Sequence, residues 1–177
     1  MKPFSFLIYF AALFFILASC ANESVSRKYS DYQDANYNFT VSYPQDWDIK
    51  DEPESSSLFF NAPVKDEFSA SFAIVTGEAD PDMINIPQEF FEETANISYE
   101  RNSLLELKKI TFANEECLFM DYISESVFGE MRQKQYTFNR NGTLFVLIFA
   151  SLDKNYKNYE KTFDKMAESF AFTDILQ

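Results

Sequence analysis

The side chains able to do chemistry are few, and little in their spacing brings them together. Histidine is absent, which excludes His-based triads, Cys–His nucleophiles and His-ligated zinc. Of the two cysteines, Cys117 lies in the apolar run Cys117-Leu118-Phe119-Met120, beside Glu115 and Glu116. Buried cysteine usually acts as a small hydrophobe, and a reactive thiol needs electropositive surroundings, so Cys117 is expected to be inert. Carboxylates cluster twice: Glu78, Asp80 and Asp82 around Pro81, and Asp46, Asp48, Asp51, Glu52 and Glu54. Calcium takes roughly six to eight oxygens at set loop spacings with a glycine for the turn. Neither cluster has that pattern, and both read as solvated loops. Paired carboxylates hydrolyse glycosides only at a defined separation across a cleft, which no spacing here specifies. The chain has three glycines and no glycine-rich phosphate loop. Asn38, Asn96 and Asn141 head glycosylation sequons, short matches that carry little force by themselves. No catalytic residue, metal ligand or cofactor is expected.

The other cysteine has a clearer role. Lys2 is followed by the apolar stretch Phe4 to Leu17, then by the small residues Ala18 and Ser19, then by Cys20. These are the charged, apolar and small-residue regions of a secretory signal, shorter than the ~20 residues of a spanning helix. Leu17-Ala18-Ser19-Cys20 resembles the lipobox of bacterial lipoproteins, in which cleavage precedes the cysteine and leaves it acylated. Residues 1–19 therefore read as a lipoprotein signal peptide and Cys20 as the lipidation site and membrane contact. More than one acyl chain is needed for stable anchoring, and the triacylated cysteine of such proteins meets that need. Ala21 stands where an Asp commonly marks inner-membrane retention, so outer-membrane sorting is expected if the host is Gram-negative.

Acidic residues number 28 against 15 basic, a net charge of −13. Lys2 is the one charge in the signal, so the processed protein is one unit more negative. That balance lacks the basic footprint of a nucleic-acid binder and argues against a polybasic contact with anionic lipid. Residues 20–36 read as a lipidated flexible tether. Its polar part, Ala21 to Gln33, reaches about 40 Å when extended and nearer 20 Å as a coil.

Residues 37–177 then read as one globular domain. Phe39, Val41 and Tyr43 alternate with polar residues as in a half-buried strand ending at Pro44. Short strands follow at Trp47 to Lys50, Leu58 to Phe60 and Ala70 to Val75. Asn85, with Pro87 and Gln88 behind it, caps a helix running to about Arg101. Leu104 to Phe112 and Glu116 to Ser124 are strands. Glu130 to Asn139 and Thr143 to Ser151 form a hairpin about Asn141-Gly142. The continuous apolar run Leu144 to Ala150 belongs in a central strand covered on both faces. A last helix runs from Asp153 to Phe170, with Tyr156, Tyr159, Phe163, Met166 and Phe170 on one stripe that packs on a sheet.

The opening Tyr37-Asn38-Phe39-Thr40-Val41-Ser42-Tyr43-Pro44-Gln45-Asp46-Trp47 resembles the "Phe-x-Val/Ile-x-Tyr-Pro-x-x-Trp" start of the PsbP-like family. The close, Phe163 to Phe172, resembles the family's terminal helix and Ser-Phe-x-Phe ending. The resemblance spans about Tyr37 to Phe172. It implies an α+β fold, an α/β/α sandwich with a central, mostly antiparallel sheet and helices covering its faces. It also implies an adaptor or accessory role rather than a chemistry. The expectation is a non-enzymatic, lipid-anchored envelope protein that binds a protein partner. The alternative is a carrier of a small ligand or lipid, or a hydrolase, with a pocket between sheet and helix. Trp47 reads as the core anchor of its turn; Tyr43 and Trp47 would form a partner surface if the indole were exposed.

Overall fold

The computed structural model describes residues 27–64, 68–79 and 103–173. The signal region, Cys20, Asp80, Asp82, Asn96 and the expected helix at Asn85 to Arg101 lie outside them.

Among the described residues the protein is mostly antiparallel sheet, with one α-helix. The strands are β1 (Tyr29–Asp34), β2 (Phe39–Pro44), β3 (Asp48–Glu52), β4 (Ser57–Asn61), β5 (Ser71–Glu78), β6 (Ser103–Phe112), β7 (Glu115–Ser126), β8 (Gly129–Arg140), β9 (Thr143–Leu152) and β10 (Ala171–Phe172). Helix α1 spans Tyr156–Ser169 behind a 3-10 turn at Asp153–Asn155. A seven-stranded sheet has the order β3-β4-β5-β9-β8-β7-β6, and a small sheet has the order β1-β2-β10. Every pairing is antiparallel.

The turns explain the hairpins. Asn141 and Gly142 have φ of 52° and 82°, and Ala113 and Asn114 have φ of 50° and 67°. Two positive φ values in succession match the twist of the flanking strands. Asn139 Oδ1 accepts the Gly142 amide at 3.0 Å.

Strand β9 is central as its apolar run implies, but its two faces differ. Phe145, Leu147 and Phe149 are fully buried, whereas Leu144, Val146 and Ile148 are half-buried. Against the buried face lie α1 and the small sheet. The stripe of α1 puts Tyr156, Phe163 and Met166 into the core, and Phe170, just past the helix, stacks on Phe39 of β2 at 5.2 Å. Ser169 ties the two together: its Oγ accepts the Ser42 amide at 2.9 Å. The core is largely phenylalanine; Phe72 and Phe149 stack at 4.3 Å, and Phe138 and Phe145 at 5.3 Å.

Two expectations need correction. The segment read as a tether through residue 36 already folds at Tyr29, where β1 pairs along the whole of β2. Its alternation of polar and aromatic residues is too short to stand out, and β2 supplies the ladder that fixes it. The chain from Cys20 to Tyr29 then spans at most about 30 Å. The second correction concerns layers: the described helix covers one face only, so the fold shown is sheet-dominated rather than a helix-covered sandwich.

Candidate functional site

Trp47 follows the turn after β2, where its amide donates to Pro44 O at 3.0 Å. The indole is 4% exposed and meets Tyr159 and Phe163 edge-on at 6.3 and 6.2 Å. Its Nε1 has no hydrogen-bond partner. Tyr43 is half-buried against Phe60 at 5.1 Å. These two rings therefore anchor the core, and the partner surface assigned to an exposed Trp47 is not formed by them.

Cys117 is fully buried, with Sγ 3.5 Å from Leu118 O. Burial pushes its thiol up to about 12, only partly offset by a backbone hydrogen bond from Thr137. Desolvation causes this rise, not the neighbouring Glu115 and Glu116. Glu115 is paired with Arg140 at 2.6 Å.

The acidic residues do not converge. Asp46 faces Arg27 at 3.8 Å, Glu52 pairs with Lys50, and Glu78 ends β5 in solvent. Among the described residues no three carboxylates or thiols gather as metal ligands. Asp34 and Asp51 border a cavity of about 190 Å³ between the β1–β2 turn and β4–β5, floored by Phe39, Leu58 and Ile74.

A polar cluster that the sequence did not reveal lies under the start of α1. Asp121 is 5% exposed on β7, amid an apolar run. Arg132 of β8 grips it bidentately, Nε to Oδ1 at 3.0 Å and Nη2 to Oδ2 at 2.8 Å. The guanidinium also stands 4.2 Å over the Tyr156 ring. Its charge is held above the ordinary arginine value, chiefly by the Asp121 hydrogen bonds, with burial opposing. Two residues along the same face, Lys134 bonds Asp164 Oδ1 at 3.2 Å. Burial works against that ammonium, but Tyr156 and Asp164 outweigh it and hold it above the usual lysine value. Burial also raises the phenol of Tyr156 and pushes that of Tyr136 up to about 12, with Lys134 pulling both the other way. The Tyr156 oxygen has no hydrogen bond within ordinary reach, so its tie to Lys134 is one of charge and ring face, with Nζ 5.6 Å from the ring centroid. The one available signal was the spacing of Arg132 and Lys134 in β8, which puts both on the face that also carries Phe138.

Asp164 carries this cluster into an open groove of about 460 Å³ between the β6–β7 turn and the second half of α1. Phe112, Tyr136 and Phe170 form its floor, the first two rings 4.6 Å apart and Phe112 stacked on Phe170 at 5.8 Å. Asp164, Glu168, Thr111 and Asn114 form its rim. An aromatic floor with an acidic rim suits an apolar side chain flanked by a cation. Of the titratable groups around the cluster and the groove, the Cys117 thiol, the Tyr136 and Tyr156 phenols and the Lys134 ammonium are all pushed toward their protonated states.

Comparison with known proteins follows this geometry. No curated protein matches the sequence. Solved structures share the fold, among them the following three. Cyanobacterial PsbP (CyanoP) from Synechocystis aligns with TM-score 0.61 at 13% identity, covering 89% of this chain and 99% of its own. The Ran-binding protein Mog1p of Saccharomyces cerevisiae aligns with TM-score 0.56 at 11% identity, covering 84% and 97%. LpqN, involved in cell envelope biogenesis of Mycobacterium tuberculosis, aligns with TM-score 0.54 at 11% identity, covering 84% and 92%. The PsbP family model matches residues 27–172, beginning just before β1 and ending with β10, and the chain belongs to the PsbP family.

Proposed function

We propose that this protein is a lipid-anchored bacterial envelope component acting as a non-enzymatic accessory subunit, and that it captures a protein partner in the groove between the β6–β7 turn and α1. The groove carries the reading: it is open and aromatic-floored, and its acidic rim complements a basic or amphipathic segment. Leu17-Ala18-Ser19-Cys20 supports export and lipidation, with outer-membrane sorting in a Gram-negative host. The likeness of fold to LpqN is compatible with an envelope setting. The second helix of an α/β/α sandwich would come from Asn85 to Arg101.

The small-ligand alternative is weaker. The cavity beside Asp34 and Asp51 is about 190 Å³, below the roughly 300–1,000 Å³ of ordinary small-molecule sites; the groove between the β6–β7 turn and α1, about 460 Å³, reaches that size but lies open along the surface rather than enclosing a ligand. The test is affinity capture of the full-length protein from detergent-solubilised membranes of its host. Thr111→Arg and Glu168→Lys, both at exposed rim positions, should lose a partner that the wild type retains. Equal recovery by wild type and variants would place the partner elsewhere.

A further inference from the structure

The pairing registers run in an unbroken row across the large sheet: Asp48, Asn61, Ser71, Ala150, Gln133, Tyr122 and Leu104. That row marks one end of the sheet. Of the large apolar side chains exposed among the described residues, Val64, Leu104, Leu105, Val127 and Phe128 gather at this end. Tyr37 lies at the other end, and Ile49 sits on the β3 edge.

Among the described residues the β7–β8 hairpin outruns its neighbours here: Ser103↔Ile123 is the last described pairing with β6, and Met131↔Leu152 the last with β9. Residues Ser124 to Glu130 therefore project as a two-stranded finger, about 13 Å from Ile123 to the tip. A two-residue turn closes it: Ser126 Oγ donates to Gly129 O at 2.8 Å and accepts the Phe128 amide at 3.1 Å. Val127 at the tip is 95% exposed and Phe128 is 45% exposed, its ring 5.8 Å from Phe68. Val127, almost fully exposed, gives nothing to the core, and apolar residues set together at one end of a fold mark a contact surface.

The described chain begins at the same end. Arg27 is held by Thr162 Oγ1 at 3.1 Å and faces Asp46, just before the row starts at Asp48. Cys20 lies seven residues earlier, within about 25 Å even when fully extended. We infer that the β7–β8 finger is a second membrane contact, with Val127 and Phe128 dipping into the bilayer interface on which the Cys20 lipid sits. This rests on the lipid-anchored reading and adds an orientation to it: the finger end faces the membrane, and the groove at the β6–β7 turn, at the opposite end of β7, faces away. Exposed Glu125 and Glu130, paired across the finger, favour an uncharged or ammonium-bearing lipid surface over an anionic one.

The test uses the full-length protein, purified in detergent and reconstituted into phosphatidylethanolamine vesicles whose acyl chains are brominated. Wild-type emission comes from Trp47 alone, which is buried. The Phe128→Trp variant adds a reporter at the tip, and incorporation of labelled palmitate scores Cys20 separately. The proposal expects a palmitate-labelled variant whose added emission falls about twofold in brominated vesicles, and recovers when Val127→Asp is combined with it. A labelled variant that brominated lipid does not quench, but aqueous iodide does, overturns the finger contact and leaves the anchor intact. Shielding from both quenchers overturns it in favour of a protein contact at the tip. Absence of palmitate from the wild type removes the anchor and the orientation with it.

Discussion

Trp47 and Cys117 are instructive because each has one obvious chemical reading and one packing reading. Trp47 sits between two rings of α1, so Trp47→Ala removes a buried indole and should cost on the order of 3–5 kcal/mol in urea unfolding. A melt unchanged from wild type would mean the indole is not packed as described. Cys117 should resist thiol reagents in the native state. Its buried thiol also gives stability a pH dependence. Its folded value of about 12 exceeds the ordinary 9.0, so the unfolded chain releases this proton first as pH rises. Stability is then complete below about pH 9 and declines toward pH 12, with Tyr136 adding to the decline above its ordinary 10.0. Cys117→Ala should melt with a shallower alkaline decline than wild type, and identical slopes would contradict the assignment. The burial of Cys117 was legible from its apolar run. The rise in its pKa was not, because neighbours in sequence say nothing of desolvation. Asp121 was missed for a related reason: a single acid in an apolar strand looks like a solvent-facing residue until its Arg132 partner, one strand away, is known.

At the level of elements, that pair matters most. Asp121→Ala leaves Arg132 without its bidentate partner beneath α1 and should cost about 2–3 kcal/mol, less than a fully buried pair because Arg132 keeps some solvent. Replacing both residues with leucine should recover part of that loss in the same unfolding assay; a double variant worse than the single one would show that the ion pair contributes beyond satisfying itself. The strands and hairpin turns were largely legible because alternation and Asn-Gly chemistry are local. Strand β9 was placed centrally by its apolar run, although only one of its faces is fully buried. β1 was not legible. Its residues Tyr29, Tyr32 and their polar neighbours mean little until β2 pairs with them. Deleting residues 27–36 should accordingly lower the melting temperature or abolish cooperative unfolding, whereas a flexible tether would be removed without effect.

For the whole molecule, a net charge of −13 and an aromatic-floored groove with an acidic rim are the features on which the proposed partner-binding role rests. The family was legible from both ends of the domain, since the Tyr-Pro-x-x-Trp turn and the Ser-Phe-x-Phe close are contiguous. The groove was not, because Phe112 of β6, Tyr136 of β8, and Asp164 and Phe170 of α1 and its end come from three separate segments joined only by folding. The most direct measurement is capture of a partner from solubilised host membranes by wild type and by the Thr111→Arg/Glu168→Lys double variant, with both shown to melt alike. The account predicts a protein recovered in stoichiometric amount by the wild type and lost with the double variant. Recovery unaffected by the two substitutions, or no protein retained by the wild type at all, would contradict it.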